Sequence, residues 1–143
     1  MLRVEPELKA NYVAAGLVSL AFSHVLDHGS ASKVAHQAAE CAGRQQPAAF
    51  WHMHDLLFER QHELWRSTPE LLTDWATTIG LDGALFTACL DDQAVAEKID
   101  RIDQTRRNNS IRIRPSFMLN ERLVEGGIPY QQFEQIFAEM GVQ

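Results

Sequence analysis

The sequence contains two cysteines, Cys41 and Cys89, which lie 48 positions apart. A pair of cysteines separated by two residues at a helix N-terminus can exchange disulfides, because the helix dipole stabilises the attacking thiolate. Neither cysteine has a partner at that spacing, so no catalytic residue can be assigned to this chain. Two buried thiols that pack as small apolar side chains would account for both residues.

Six histidines lie in the first half of the sequence and raise the question of a metal site. None belongs to a helical zinc motif, in which two histidines four residues apart flank an acid. His54 shares an apolar helical stripe with Leu57 and Phe58, which predicts a hydrogen-bonded core histidine. His24 is also expected to be structural. The sequence therefore predicts no metal and no cofactor. The histidines are His24, His28, His36, His52, His54 and His62.

The charge balance argues against a nucleic-acid partner. The chain carries 13 basic and 19 acidic residues, for a net charge of −6, whereas nucleic-acid-binding domains are basic. Five arginines do cluster locally, and we expect them to form a solvated face balanced by Asp100 and Asp103. They are Arg101, Arg106, Arg107, Arg112 and Arg114.

No apolar run approaches the roughly 20 residues that a membrane-spanning helix needs. The N-terminal stretch MLRVEPELKANY is charged and has no apolar region typical of a signal peptide. These two observations predict a cytoplasmic protein without a membrane partner. A start that lies further upstream would leave an extracytoplasmic location open.

A β-hairpin is predicted between Pro115 and Pro129. Proline lacks an N–H group and suits the first position of a strand, which here continues over residues 116–119. A turn is expected at residues 120–122, followed by a return strand at residues 123–125. Pro129 then suits the first turn of a helix.

The remaining pattern places helices around this hairpin. A helix is predicted at residues 4–15, ended by Gly16. Residues 17–26 are almost continuously apolar, which favours a strand covered on both faces. Further helices are predicted at about 30–42, 47–65, 69–80, 83–90, 94–108 and 131–140.

Six segments resemble successive parts of the DsbA family, in the family's order. They are VEPELKANY, LAFSHVL, AHQAAECAG, FWHMHDLLFERQ, GLDGALFTACLDD and RPSFMLNERLVEGGIPYQQF. The resemblance extends from Val4 to Met140. It implies an α/β, thioredoxin-like fold in a single domain, residues 1–143, with a helical insertion at about 30–108.

The chain departs from the family at its beginning. Family members start with a strand and a Cys-x-x-C motif at the head of the helix that VEPELKANY resembles. Both the first strand and the start of that helix, with its cysteines, are missing here, so we expect a truncated member. The resemblance further implies that Arg114 and Pro115 form a substrate-binding edge and that the bond between them is cis.

The resemblance also bears on Cys41 and Cys89. Some family members pair cysteines at these two positions, which implies a structural disulfide as an alternative to two buried thiols. A reducing, cytoplasmic setting favours the thiols, because stable disulfides are rare there.

Three functions remain open. The first is a truncated thiol–disulfide oxidoreductase that acts on protein or peptide thiols. The second is a non-catalytic module that binds peptides or partners, and the third is a subunit completed by another chain. We expect it to be inactive in isolation, because the catalytic cysteines are absent.

The missing strand also predicts how the chain associates. In the thioredoxin fold it lies between the strand at residues 17–26 and the one beginning at Ser116. Without it, these two strands must pair directly or another chain must cover the exposed edge. We expect a homodimer whose interface includes residues 4–26.

Overall fold

The computed structural model describes residues 4–142, which form seven α-helices and one β-hairpin. A π-helical turn, Lys9–Val13, continues the first helix, and a 3₁₀ segment, Gln61–Arg66, follows the third. The helices are α1 Val4–Leu8, α2 Gly29–Gln45, α3 Pro47–Glu59, α4 Pro69–Thr78, α5 Gly83–Leu90, α6 Gln93–Asn108 and α7 Tyr130–Glu139. The strands are β1 Ser116–Leu119 and β2 Arg122–Glu125.

These elements belong to two compact units. The strand unit contains residues 4–22 and 109–142, and the helical unit contains residues 23–108. The helical unit encloses the range in which the sequence predicts an insertion. That the whole chain folds as a single domain stays a prediction.

The core of the strand unit lies between the hairpin and helices α1 and α7. Leu8, Phe133 and Phe137 are buried together. Phe117 of β1 packs edge-on against Phe133, with 4.8 Å between the ring centroids, and Tyr12 packs against Phe137 at 4.7 Å. Aromatic contacts of this geometry stabilise a core beyond the area that they bury. The hairpin is therefore fixed through one face.

The helical unit has its own apolar core and well-formed helix starts. Thr68 and Asp82 accept hydrogen bonds from the N–H groups of Leu71 and Leu85, which confirms the predicted starts of α4 and α5. Buried core residues come from α2, α3, α4, α5 and α6. They include Ala38, Cys41, Met53, Leu72, Trp75, Phe86, Val95 and Ile99.

The prediction of a strand at residues 17–26 is wrong. Within residues 4–142 the sheet consists of β1 and β2 alone, and residues 18–27 form neither helix nor strand. A strand exists only beside a partner that completes its hydrogen-bond ladder. The apolar residues of this segment are partly buried or exposed, and its one buried residue is His24. Direct pairing of this segment with β1 is excluded in the described structure as well.

No helix within residues 4–142 combines the length and apolar character needed to cross a lipid bilayer.

Candidate functional site

The pairing of the hairpin determines which backbone groups of β1 are engaged. The strands are antiparallel, with Phe117 opposite Val124 and Met118 opposite Leu123. The N–H of Gly126 donates to the carbonyl of Pro115 at 2.8 Å, so these two residues form a hydrogen-bonded pair. Hydrogen-bonded and non-hydrogen-bonded pairs alternate along an antiparallel ladder.

This alternation divides the four residues of β1 into two sets. The N–H and C=O groups of Phe117 and Leu119 point toward β2. Those of Ser116 and Met118 point to the opposite edge of β1. Within residues 4–142 no strand pairs with that edge.

Arg114 and Pro115, the predicted substrate-binding residues, lie together at the entry to β1. The bond between them is cis, as the resemblance implied. Arg114 is exposed, and its Nη1 donates to the carbonyl of Arg112 at 2.8 Å. Two apolar side chains close by in sequence are also about half exposed, Ile113 at 50% and Met118 at 51%. This end of the hairpin thus combines cationic and apolar surface with backbone groups that lack a strand partner.

Cys41 and Cys89 are bonded to each other in a disulfide that joins α2 to α5. Cys41 is completely buried, and Cys89 is partly buried. The disulfide implied by the resemblance is therefore present, and the expectation of two buried thiols is wrong. Because the sequence has no further cysteine, no thiol remains in this chain to attack a substrate.

A polar cluster around the buried His24 in the helical unit was not predicted from the sequence. The Nε2 of His24 lies 2.8 Å from Oε1 of Glu40, and Nζ of Lys98 donates to Oε2 of the same carboxylate. The hydrogen bond from His24 and the ammonium of Lys98 outweigh burial and lower the pKa of Glu40 to about 2. His24 is thus a hydrogen-bonded core residue, as expected. His54 is buried too, with Nδ1 2.9 Å from a carboxylate oxygen of Asp55, which confirms its predicted role.

His36 lies against this cluster. Its Nε2 donates to the carbonyl of Val25 at 3.0 Å, and its ring packs edge-on against His24 at 4.7 Å. Burial, followed by the proximity of His24, lowers the pKa of His36 to about 4. His36 is therefore neutral at neutral pH, which suits a side chain that supports backbone from within the protein.

Asp103 on α6 holds the backbone of Leu26. Its Oδ1 accepts from the N–H of Leu26 at 3.0 Å, while Nη2 of Arg107 donates to the carbonyl of Leu26 at 3.2 Å. Arg107 and Arg106 also donate to the Asp103 carboxylate, at 2.6 and 2.7 Å. Burial opposes the charge, but these hydrogen bonds prevail and lower the pKa of Asp103 to about 2. Side chains thus supply Leu26 with the two hydrogen bonds that a strand neighbour would supply.

The arginine cluster is therefore only partly as predicted. Asp103 does balance arginines, but Asp103 and Arg106 are both buried rather than solvated. Asp100 pairs with Lys33 at 2.9 Å instead of with an arginine. The spacings of three and four residues from Asp103 to Arg106 and Arg107 were the available signal, since such residues are neighbours on a helix.

These features define a thioredoxin-like α/β protein with a predominantly helical second unit. A family model described as Thioredoxin matches residues 2–139. The chain belongs to this family, and its similarity to a disulfide bond formation protein agrees with the DsbA-like resemblance.

Two relatives and one solved structure illustrate the similarity. Disulfide bond formation protein D of Bacillus subtilis is 25% identical over 133 residues, which are 91% of this chain and 60% of that protein. A Na(+)/H(+) antiporter NhaA of Herminiimonas arsenicoxydans is 34% identical over 101 residues, 71% of this chain and 16% of that protein. The chain thus spans only part of each of these relatives.

The crystal structure of oxidised BdbD from Bacillus subtilis superimposes with a TM-score of 0.84 at 23% identity. The match covers 96% of this chain and 76% of the BdbD chain. It shows that the two proteins share a fold, which confirms the predicted fold class.

Because the pKa of His36 is lowered in the folded protein, we expect the protein to lose stability in mild acid. The pKa of His36 is about 4 in the folded protein and 6.5 ordinarily, so the unfolded chain binds more protons between these values. The free energy of unfolding should therefore fall as the pH drops from 6.5 to 4, by about 3 kcal/mol in total. Urea denaturation across this range measures it.

His36→Gln is the matched variant, because its amide can still donate to Val25 but does not titrate. Between pH 6.5 and 4.5 its unfolding free energy should change less than that of the wild type. Glu40 and Asp103 stay ionised there in the folded protein, with pKa values of about 2. Parallel curves for the two proteins would show that His36 is not the group responsible.

Proposed function

We propose that this chain recognises protein or peptide thiol substrates in extended form at Arg114 and Pro115, without performing disulfide exchange itself. The bond between Cys41 and Cys89 is the observation that carries this proposal. Exchange requires a thiolate to reach a disulfide sulfur, and here Cys41 is completely buried and Cys89 is partly buried. The recognition edge is supported by the exposure of Arg114, Ile113 and Met118 at the entry to β1.

The disulfide also supports an oxidising compartment for this chain. Disulfides persist in oxidising environments and are rare in reducing cytosol. We therefore replace the expectation of a cytoplasmic location by an extracytoplasmic one, where a bond between α2 and α5 would endure. Closing a loop of 48 residues would stabilise the folded chain by about 4 kcal/mol in the chain-entropy model.

The proposed absence of disulfide exchange is tested by turnover. We expect the purified chain to show no oxidation of a dithiol peptide and no reduction of insulin above the uncatalysed rate. The variants Cys41→Ala and Cys89→Ala, each of which leaves one thiol, serve as controls. Robust turnover by the wild type that disappears in either variant would mean that these cysteines are catalytic, and the proposal would fail.

We further propose that two copies associate through a surface that includes residues 4–26. Two observations support it: within residues 4–142 only one edge of β1 is paired, and Leu17 is 42% exposed. Multi-angle light scattering of the purified chain should give twice its mass of 16.2 kDa. A monodisperse species of 16.2 kDa would rule out the homodimer.

A further inference from the structure

The helical unit, residues 23–108, is joined to the rest of the chain at both of its ends. Its first residues, 23–28, form an entry segment without helix or strand. Its last residues, 105–108, are the final turn of α6, which we call the exit turn. These two segments are distant in sequence but bonded in space. Arg107 of the exit turn donates to the carbonyl of Leu26 in the entry segment, 81 positions away.

Asp103 completes the link between the two segments. Its Oδ1 accepts from the N–H of Leu26 at 3.0 Å, and its Oδ2 accepts from Nε of Arg107 at 2.6 Å. The carboxylate is buried, and Arg106 donates to it at 2.7 Å. Hydrogen bonds in which one partner is charged are stronger than those between neutral groups. A single carboxylate thus binds the entry segment and the exit turn at the same time.

We propose that Asp103 and Arg107 form a clamp that holds the entry segment against the exit turn, so that the two segments open together. Residues at the ends of elements are where proteins absorb large backbone changes. The clamp restrains both of the places at which the helical unit continues into the rest of the chain. It is therefore a conformational device of the helical unit, and it does not depend on the proposed function.

The other attachments of the entry segment and the core do not involve the clamp. His24 is bonded to Glu40, and His36 donates to the carbonyl of Val25, so α2 holds these residues separately. Leu26 packs as a partly buried side chain at the margin of the apolar core. The disulfide between α2 and α5 joins that core covalently. Opening of the clamp should therefore be a local event that leaves the core of the helical unit folded.

Two arginines of α6 provide a matched pair of variants. The side chains of Arg107 and Arg101 are 52% and 69% exposed, and each pairs with an acid four residues earlier, Asp103 and Glu97. Arg107 is also bonded to Leu26, whereas the ion pair of Arg101 lies within α6. Arg107→Met and Arg101→Met each put an uncharged side chain of similar length in place of the guanidinium.

Amide hydrogen exchange of the full chain, followed by NMR, measures the opening. In Arg107→Met the N–H of Leu26 and those of the exit turn should exchange roughly tenfold faster or more, because the clamp has lost a charged donor. The N–H groups of Phe86 and Ile99 in the core should accelerate by a much smaller factor. Arg101→Met should leave all of these rates close to those of the wild type.

Two results of this measurement would overturn the proposal. Equal acceleration in Arg107→Met and Arg101→Met would mean that any lost charge on α6 has the same effect. Equal acceleration of Leu26 and of the core amides in Arg107→Met would mean that Arg107 stabilises the whole unit and that no local clamp exists.

Variants of the entry segment test the coupling from the other side. Leu26→Pro removes the N–H that Asp103 accepts, whereas Leu26→Ala keeps this N–H and shortens the same side chain. The N–H groups of Arg107 and Asn108 should exchange roughly fivefold faster or more in Leu26→Pro than in Leu26→Ala. Equal rates in the two variants would refute the coupling. If Leu26→Pro does not fold, as judged by circular dichroism, the comparison of Arg107→Met with Arg101→Met decides the matter.

Limited proteolysis gives an independent readout. Thermolysin cleaves before large apolar residues such as Val25 and Leu26, and cleavage of a closed segment depends on how often it opens. Arg107→Met should be cut in the entry segment roughly tenfold faster than the wild type, and Arg101→Met at the rate of the wild type. N-terminal sequencing of the product identifies the bond that is cut. Equal rates of cleavage there in all three proteins would contradict the proposal.

Discussion

Every buried N–H and C=O group of a protein needs a hydrogen-bond partner, and a strand carries such groups along both of its edges. This chain meets that requirement in two different ways. In the helical unit, residues 23–28 lie outside any ladder, and side chains supply the partners. Asp103 and Arg107 engage the N–H and C=O groups of Leu26, and His36 engages the carbonyl of Val25. In the strand unit, β1 has a ladder on one edge only.

The side-chain hydrogen bonds make the helical unit dependent on ionisable groups that are buried or partly buried. Asp103 is charged and Glu40 is charged, while His36 is neutral, and each state matches the hydrogen bonds that the residue makes. Removing one partner of a buried ion pair is costly, because the other is left in a medium that solvates it poorly. The disulfide between α2 and α5 reinforces the same unit covalently. The two cysteines thus have a structural role that is independent of any exchange chemistry.

The sequence was informative where local chemistry determines structure. Thr68 and Asp82 predict helix starts because their side chains can accept hydrogen bonds from the first turn. Pro115 predicts the beginning of a strand. It was uninformative where structure depends on a distant partner. The apolar stretch at residues 17–26 could not reveal that no strand within residues 4–142 pairs with it. Likewise, the charges of Asp103 and Arg106 suggested that both side chains are exposed to solvent. In the structure the two residues are buried and form an ion pair with each other.

The candidate site also has features that the sequence predicts and features that only the structure shows. Arg114 and Pro115 could be proposed as site residues because they belong to a segment of family-like sequence. The direction of the backbone groups of β1 could not, because it follows from the alternation of hydrogen bonds in the hairpin, which requires the register. Only the register shows that Ser116 and Met118 face away from β2.

Amide hydrogen exchange of the hairpin, followed by NMR, tests the central claim that one edge of β1 has no strand partner among residues 4–142. The account predicts slow exchange for the N–H groups of Phe117 and Leu119, which point toward β2. It predicts fast exchange for those of Ser116 and Met118, which point away. Equal protection of all four amides in the monomeric chain would contradict the account, because it would mean that another segment already pairs with this edge.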